Sequence, residues 1–297
     1  MITEICNSLA FPRDACEELL SHYEAIKSDQ TAKALLEKSR ALLFSDDAFD
    51  DSDLKRISEL LEIHVMVVNM VFLLFCVPDM KALYQKKGLD EAIFWDTVQD
   101  LRYQILETKQ VYGVWGEHAL WWEVDFFRCK RFALGRLQYE WDGYYCTTPY
   151  MNYQKGDSML CCHIPSSGKL LREDVLLSLK KAYDFYGCKD WADGLMPVQC
   201  ESWMLYDKHL PLFPEGSNLR AFYLMFHNVE NKESKSNVDF WRIFGTPFSP
   251  EALELASEAT ALQRNFKHFL QAGNKMGFGK SVLVFDGERI LTEKTDG

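Results

Sequence analysis

The run His163-Ile-Pro-Ser-Ser-Gly-Lys169 joins a strongly apolar stretch to a segment with helical spacing. Backbone N–H groups in such a turn, with the positive end of the following helix dipole, form a cradle for a phosphate or pyrophosphate. Ile164, Ser166, Ser167, Gly168 and Lys169 would make up that cradle, and Lys169 and Arg172 bring positive charge. The same composition also suits an ordinary turn, because Ser and Gly serve turn geometry. Two carboxylates offer base chemistry. Glu201 shares a strand face with Gln199 and Trp203, and Glu140 follows Arg136 and Gln138 on another. Each also reads as an exposed strand carboxylate, and Arg136 is close enough in sequence to pair with Glu140. His163 enters as a third acid or base because its strand ends there.

Other reactive patterns fail on spacing. Gly273 to Ser281 reads GNKMGFGKS, but a phosphate-binding P-loop needs glycine where Asn274 stands, and this segment leaves a helix for a strand. It reads as a helix exit with Gly273 as its stop. Cys161 and His163 fall on one strand face and Cys162 on the other, so the three do not converge on a metal. The nine cysteines are odd in number and include no CxxC, which argues against a disulfide framework and for a reducing, cytoplasmic setting. No metal is expected. Ser-His-Asp and HExxH hydrolase patterns are also missing.

The elements that must hold these residues change character near residue 132. Before it, residues 14–28, 31–44 and 89–109 carry apolar positions at helical spacing, and Ser52 or Asp53 is placed to cap a further helix that contains the apolar run 63–77. That run holds His64 and Asn69, stops at Pro78, and is shorter than the ~20 residues a membrane span needs, so it reads as a core helix. Beyond residue 132, the spacing predicts strands over 133–141, 158–164, 198–205, 219–229 and 280–286. It predicts helices over about 172–186 and over 249–270, the latter capped by Ser249 and begun by Pro250. The expected fold class is α+β: an all-helical domain over 1–130, then a mixed sheet flanked by helices over 131–297.

Composition sets limits on the partners. The chain has 297 residues, 47% of them hydrophobic, which is enough for a large core. Its formal net charge of -11 repels a phosphate backbone on average, so no nucleic-acid partner is expected. The N-terminus carries Glu4 and no long apolar region, so it does not read as a secretory signal, and no membrane partner is expected.

Four segments taken together resemble a family: Leu134-Gly-Arg-Leu-Gln-Tyr-Glu140, His163-Ile-Pro-Ser-Ser-Gly168, Glu201-Ser-Trp203 with its following Met-Leu, and Leu262-Gln-Arg264 followed by Gly273 and the Gly277/Gly279 loop. They are similar to bacterial acyltransferase domain-containing proteins that join an N-acyltransferase N-terminal helical domain to a GNAT-like C-terminal domain. The resemblance implies a GNAT-like fold from about residue 131 onward, with acetyl-CoA or another acyl-CoA as co-substrate along a central strand. Its pyrophosphate would then lie at Ile164 to Lys169. The Arg or Gln followed by GxG/A that GNAT enzymes use as a phosphate loop is absent, and SSGK stands in its place.

Chemistry of that kind is direct attack of an amine on the thioester, with no covalent enzyme intermediate. Glu201 and Glu140 are then the base candidates and His163 the third; Tyr206 is the candidate acid, and backbone N–H groups near 161–164 would polarise the carbonyl. The expected activity is an acyl-CoA-dependent N-acyltransferase for a small-molecule amine acceptor, working in the cytoplasm, with room for a homo-oligomer. The competing reading is a noncatalytic module with a degenerate GNAT core that binds a ligand or a partner protein.

Overall fold

The computed structural model describes residues 1–295. The chain divides into two compact units, Met1–Phe132 and the residues from Ala133 on. The first is built of α1 (Ile2–Ser8), α2 (Arg13–Ser28), α3 (Gln30–Leu43), α4 (Ser52–Leu61), α5 (Val65–Lys86), α6 (Glu91–Val98), α7 (Asp100–Tyr112) and α8 (Leu120–Phe127). Two stretches expected as single helices are each broken in two. Glu62 adopts a left-handed conformation, with φ of 54°, that ends α4. His64 then caps α5 by accepting the Met66 N–H at 3.2 Å. At Gln99 a helix over 89–109 gives way to α6 and α7, each with its own start.

Helix α5 also corrects the expected stop at Pro78. It runs through that proline for 22 residues and is long and apolar enough to cross a membrane by length and composition. Twelve of its side chains, Val68, Phe72 and Met80 among them, are buried within the helical unit, as in a core helix. Asn69 is buried there and donates to the Glu117 carbonyl at 3.2 Å.

The second unit is a six-stranded sheet in the order β1-β2-β3-β4-β6-β5. Its strands are β1 (Arg131–Leu134), β2 (Leu137–Gly143), β3 (Ser158–His163), β4 (Met196–Ser202), β5 (His227–Glu233) and β6 (Gly277–Phe285). The expected strand over 133–141 is a hairpin instead. Gly135, at φ of +81°, and Arg136 form a two-residue turn, which requires glycine at its first position. Helix α9 (Arg172–Phe185) packs on β2, and its buried Ser178 hydroxyl binds the hairpin to it, donating to the Leu134 carbonyl at 2.6 Å and accepting the Leu137 N–H at 3.0 Å.

The expected strand over 219–229 is also corrected. Ser217 accepts the Arg220 N–H and starts α10 (Asn218–Leu224), and only then does β5 begin. β5 reads HNVENKE and is largely exposed because it forms an edge of the sheet. The helix over 249–270 is two helices, α12 (Pro250–Leu255) and α13 (Ala261–Gln271), the first capped by Ser249 as expected; α11 (Phe240–Phe244) precedes them. The strand expected over 198–205 ends at Ser202, and Trp203–Leu205 is a turn of 3₁₀ helix.

Candidate active site

β3 is joined differently on its two sides. Its antiparallel pairing with β2 extends over six positions, from Gly143 opposite Ser158 to Gln138 opposite His163. Its parallel pairing with β4 covers only Leu160 with Val198 and Cys161 with Gln199. Past that point the two strands continue without pairing, Cys162 and His163 on one side and Cys200, Glu201 and Ser202 on the other. The sheet therefore splits at the C-terminal ends of its two central strands, where unpaired main-chain N–H and C=O groups become available to a ligand.

Alternation along the strands sorts the side chains at this split. Cys162, Cys200 and Tyr139 share one face, and Tyr139 meets Ser178 of α9 there at 3.1 Å. Glu140, Cys161, His163, Gln199 and Glu201 share the other face. On it, Glu140 Oε1 lies 2.6 Å from His163 Nε2, with the two side chains only 12% and 22% exposed. Two of the expected catalytic residues are thus brought together, and the carboxylate fixes the ring and its tautomer. Glu201 occupies the position across the split that corresponds to His163, two residues beyond the last paired position, and is exposed.

Tyr206 belongs to different surroundings. It is buried and packs edge-on to His209 at 4.9 Å. The bare Cα of Gly277 is what makes room for its ring, because a Cβ there would come within 2.6 Å of it. Gly279 answers a second close approach, since a Cβ at that position would collide with the Leu205 carbonyl. The glycines of this segment serve packing at the start of β6, and Gly273, at φ of +83°, follows the end of α13 as expected.

The turn after β3 is held from outside by a residue that sequence reasoning paired elsewhere. Arg136 donates from Nη1 to the Pro165 carbonyl at 3.0 Å, from Nη2 to Gly168 at 2.7 Å and from Nε to Lys169 at 3.0 Å. Gly168 has φ of +108°, a conformation that disfavours any side chain. Ser166, Gly168 and Lys169 are exposed, while Ile164 and Ser167 are half-buried. α9 begins three residues after Lys169 without a side-chain cap, so its first N–H groups lack that partner. Charge in its first turn is mixed. Arg172 is held by Glu293 through two bonds of 2.8 and 2.6 Å, and Glu173 and Asp174 follow.

Sequence reasoning missed the loop that covers the Glu140 face. Gln199 Oε1 accepts the Tyr145 N–H at 3.2 Å, and its Nε2 donates to the Gly143 carbonyl at 3.1 Å. Lys280 donates to the Tyr145 carbonyl at 3.2 Å. Thr147 and Thr148 donate to Glu230, which lowers that carboxyl to about 2. Burial pushes the Tyr145 phenol and the Cys161 thiol well above their ordinary ranges, so both stay protonated at neutral pH. A buried glutamine on a strand was the available signal, since it needs partners for its amide.

All nine cysteines are free thiols. Among the described residues, no cluster of His, Cys, Asp and Glu is arranged to hold a metal ion. A groove of about 550 Å³ on the helical unit, lined by Phe44, Leu83 and the Glu37–Arg40–Asp79 ion pairs, contains none of these candidates.

One parallel strand pair that parts within an otherwise antiparallel sheet, with a helix following the first strand of the pair, is the frame of a GNAT-like domain. Residues 1–129 match the N-acyltransferase N-terminal domain, and residues 132–283 match the GNAT-like C-terminal domain. The chain belongs to the family that joins these two domains. No curated protein matches it. A solved acyltransferase in complex with decanoyl-CoA and teicoplanin is similar over 94% of this chain and 86% of its own, at 18% identity and a TM-score of 0.72. An acyltransferase in complex with decanoyl-CoA gives 0.69 with the same coverage, and an acyltransferase mutant in complex with octanoyl-CoA gives 0.67 at 17% identity. These likenesses establish the shared fold.

Proposed function

We propose that the chain is an acyl-CoA-dependent N-acyltransferase that transfers its acyl group by direct attack of an amine borne on a small-molecule acceptor. The observation that carries this reading is the Glu140–His163 pair at the mouth of the split between β3 and β4. Acyl-CoA complexes of structures that share the fold support the co-substrate, and the complex with teicoplanin supports an acceptor of small-molecule kind. The domains of this reading are a helical N-acyltransferase-type domain over 1–130 and a GNAT-like domain over 131–297. Free thiols throughout suit a cytoplasmic setting.

In this reading the thioester lies along the open edge of β3, where the main chain at Cys162 to Ile164 offers its carbonyl hydrogen bonds. The pyrophosphate rests on the turn of Ile164, Ser166, Ser167, Gly168 and Lys169 and on the uncapped start of α9. Arg172 contributes at the rim, its charge shared with Glu293. His163, held through Nε2 by Glu140, takes the proton of the attacking amine. Glu201, across the split, draws the cationic acceptor in and is the alternative base, while the departing thiolate takes its proton from solvent, because Tyr206, the acid expected from sequence, is buried against His209 instead. Much of the rate comes from holding two substrates together.

The noncatalytic alternative draws on one observation: Glu173 and Asp174 stand in the first turn of α9, where a diphosphate would meet like charge. Thermal-shift titration with acetyl-, octanoyl- and decanoyl-CoA separates ligand binding from none, because ligand at 100 times its Kd adds about 2.7 kcal/mol. Thiol release with a panel of amines then reads turnover. Stabilisation by acyl-CoA with no thiol release from any amine favours the noncatalytic module, and no stabilisation by any acyl-CoA removes both the enzyme and a CoA-binding module.

A further inference from the structure

Tyr145 stands on the same face of the sheet as the Glu140–His163 pair, and its position is fixed from several sides. Its N–H is held by Gln199, whose backbone forms the last paired position with Cys161. Its carbonyl is held by Lys280, whose ammonium also sits 5.5 Å from the centre of the Tyr145 ring. The hydroxyl is shielded from solvent and has no nitrogen or oxygen partner. Its one partner is the Cys161 thiol, a weak acceptor, and the charge of Glu201 lies on the strand across the split. A buried hydroxyl with only a thiol for an acceptor is under-satisfied, which is understandable where a ligand supplies a stronger one.

We propose that the Tyr145 hydroxyl donates a hydrogen bond to the thioester carbonyl oxygen of bound acyl-CoA, and to the oxyanion that forms there when the amine attacks. The proposal rests on the acyltransferase reading above. In the step concerned, the amine nitrogen bonds to the carbonyl carbon and the C=O π pair moves to oxygen. That pair returns as the C–S bond breaks, the amine proton goes to His163, and the CoA thiolate takes up a proton to leave as thiol. Tyr145 keeps its own proton throughout. Burial holds its phenol well above the ordinary range of a thiol, so passing the proton to the thiolate would run uphill, whereas donating a hydrogen bond would not.

The test compares wild type with Tyr145→Phe, which keeps the ring and deletes only the hydroxyl, whose sole protein partner is the weakly accepting Cys161 thiol. The melting temperature of the variant should equal or exceed that of wild type, which separates a catalytic loss from misfolding. The probe is octanoyl-CoA isotopically labelled at the thioester carbon, with the bound carbonyl stretch read by difference infrared spectroscopy. A stretch lowered in wild type, with part of that lowering lost in Tyr145→Phe at unchanged Kd, supports the proposal. With an amine that is turned over, kcat should also fall by about 10²–10³. An identical stretch in both proteins overturns the proposal and leaves the acyltransferase reading in place. If wild type binds none of acetyl-, octanoyl- or decanoyl-CoA, both fall.

Discussion

Two glutamates of the helical unit and two of the sheet unit are housed in opposite ways. In the helical unit Glu117 is fully buried, with one oxygen accepting the Ala119 N–H and the other without a partner. Burial raises its pKa to about 8, and nearby Asp100 and Glu107 add to the rise. Glu123 is likewise buried, shares a hydrogen bond with Asp100, and is pushed well above the usual carboxylate range. In the sheet unit Glu230 is surrounded by donors and held ionised, and Glu140 is set against an imidazole. Glu117 and Glu123 are neutral core material, while donors are aimed at Glu230 and Glu140. The second arrangement is the one that suits chemistry on a cationic amine, and it occurs where the sheet opens.

The largest expected effect is kinetic and confined to the sheet unit. His163→Ala should lower turnover by about 10²–10⁴ with acyl-CoA affinity unchanged, as read from kcat beside a binding titration. A loss confined to acyl-CoA affinity would move the base elsewhere. Glu140→Gln keeps a polar partner for the ring and should cost less turnover than His163→Ala.

Stability against pH tests the comparison in the helical unit. Because the folded Glu117 carboxyl holds its proton up to about pH 8 and an unfolded one only to about 4.5, the stability it contributes is present below pH 4.5 and is lost as pH rises to 8. Glu117→Gln removes that dependence and should raise stability near pH 8 by a few kcal/mol, in melting curves taken from pH 5 to 8. A slope equal to that of wild type would show that another group carries it.

His209 in the sheet unit should give a slope of opposite sign. It is buried between Trp203 and Phe266, its Nδ1 is 2.7 Å from the Trp203 carbonyl, and burial lowers its pKa to about 4. The unfolded state binds a proton between pH 6.5 and 4 that the folded state refuses, so stability present above pH 6.5 is lost as pH falls through that window. His209→Gln should flatten the acid limb of the melting profile, and an unchanged acid limb would remove His209 as its source. The smallest effect is expected from Arg136→Ala, which frees three carbonyls at an exposed turn and should cost about 1 kcal/mol, or roughly 2–4 °C in Tm. Weaker acyl-CoA binding by the variant would show that the turn must be held to receive phosphate, and unchanged binding would count against the turn as the phosphate site.

What the sequence made legible were elements with an unambiguous local signal. β3 is apolar throughout because it is interior to the sheet, α9 shows its stripe, and Ser249 with Pro250 marks a helix start. Gly135 reads as part of a strand because Ala133, Leu137, Tyr139 and Trp141 keep one alternating apolar face across the reversal. Residues 219–229 were apolar enough for a strand, yet the Ser217 cap commits them to a helix. For the site, Glu140 and His163 were each visible but their contact was not, since it arises from antiparallel register between segments twenty-three residues apart. Tyr145 carried no signal of its own, because what distinguishes it is a buried hydroxyl with only a thiol for a partner.

The two borders of the sheet have unequal consequences. β1 is buried along its whole length, whereas β5 is open, charged at Glu230, Lys232 and Glu233, and irregular in register at Val229. A neighbouring molecule that tried to extend the sheet along β5 would have to desolvate exposed charges on a bent template. Concentrated solutions of this protein should therefore resist fibrillar stacking through that border, and any self-association must use other surfaces.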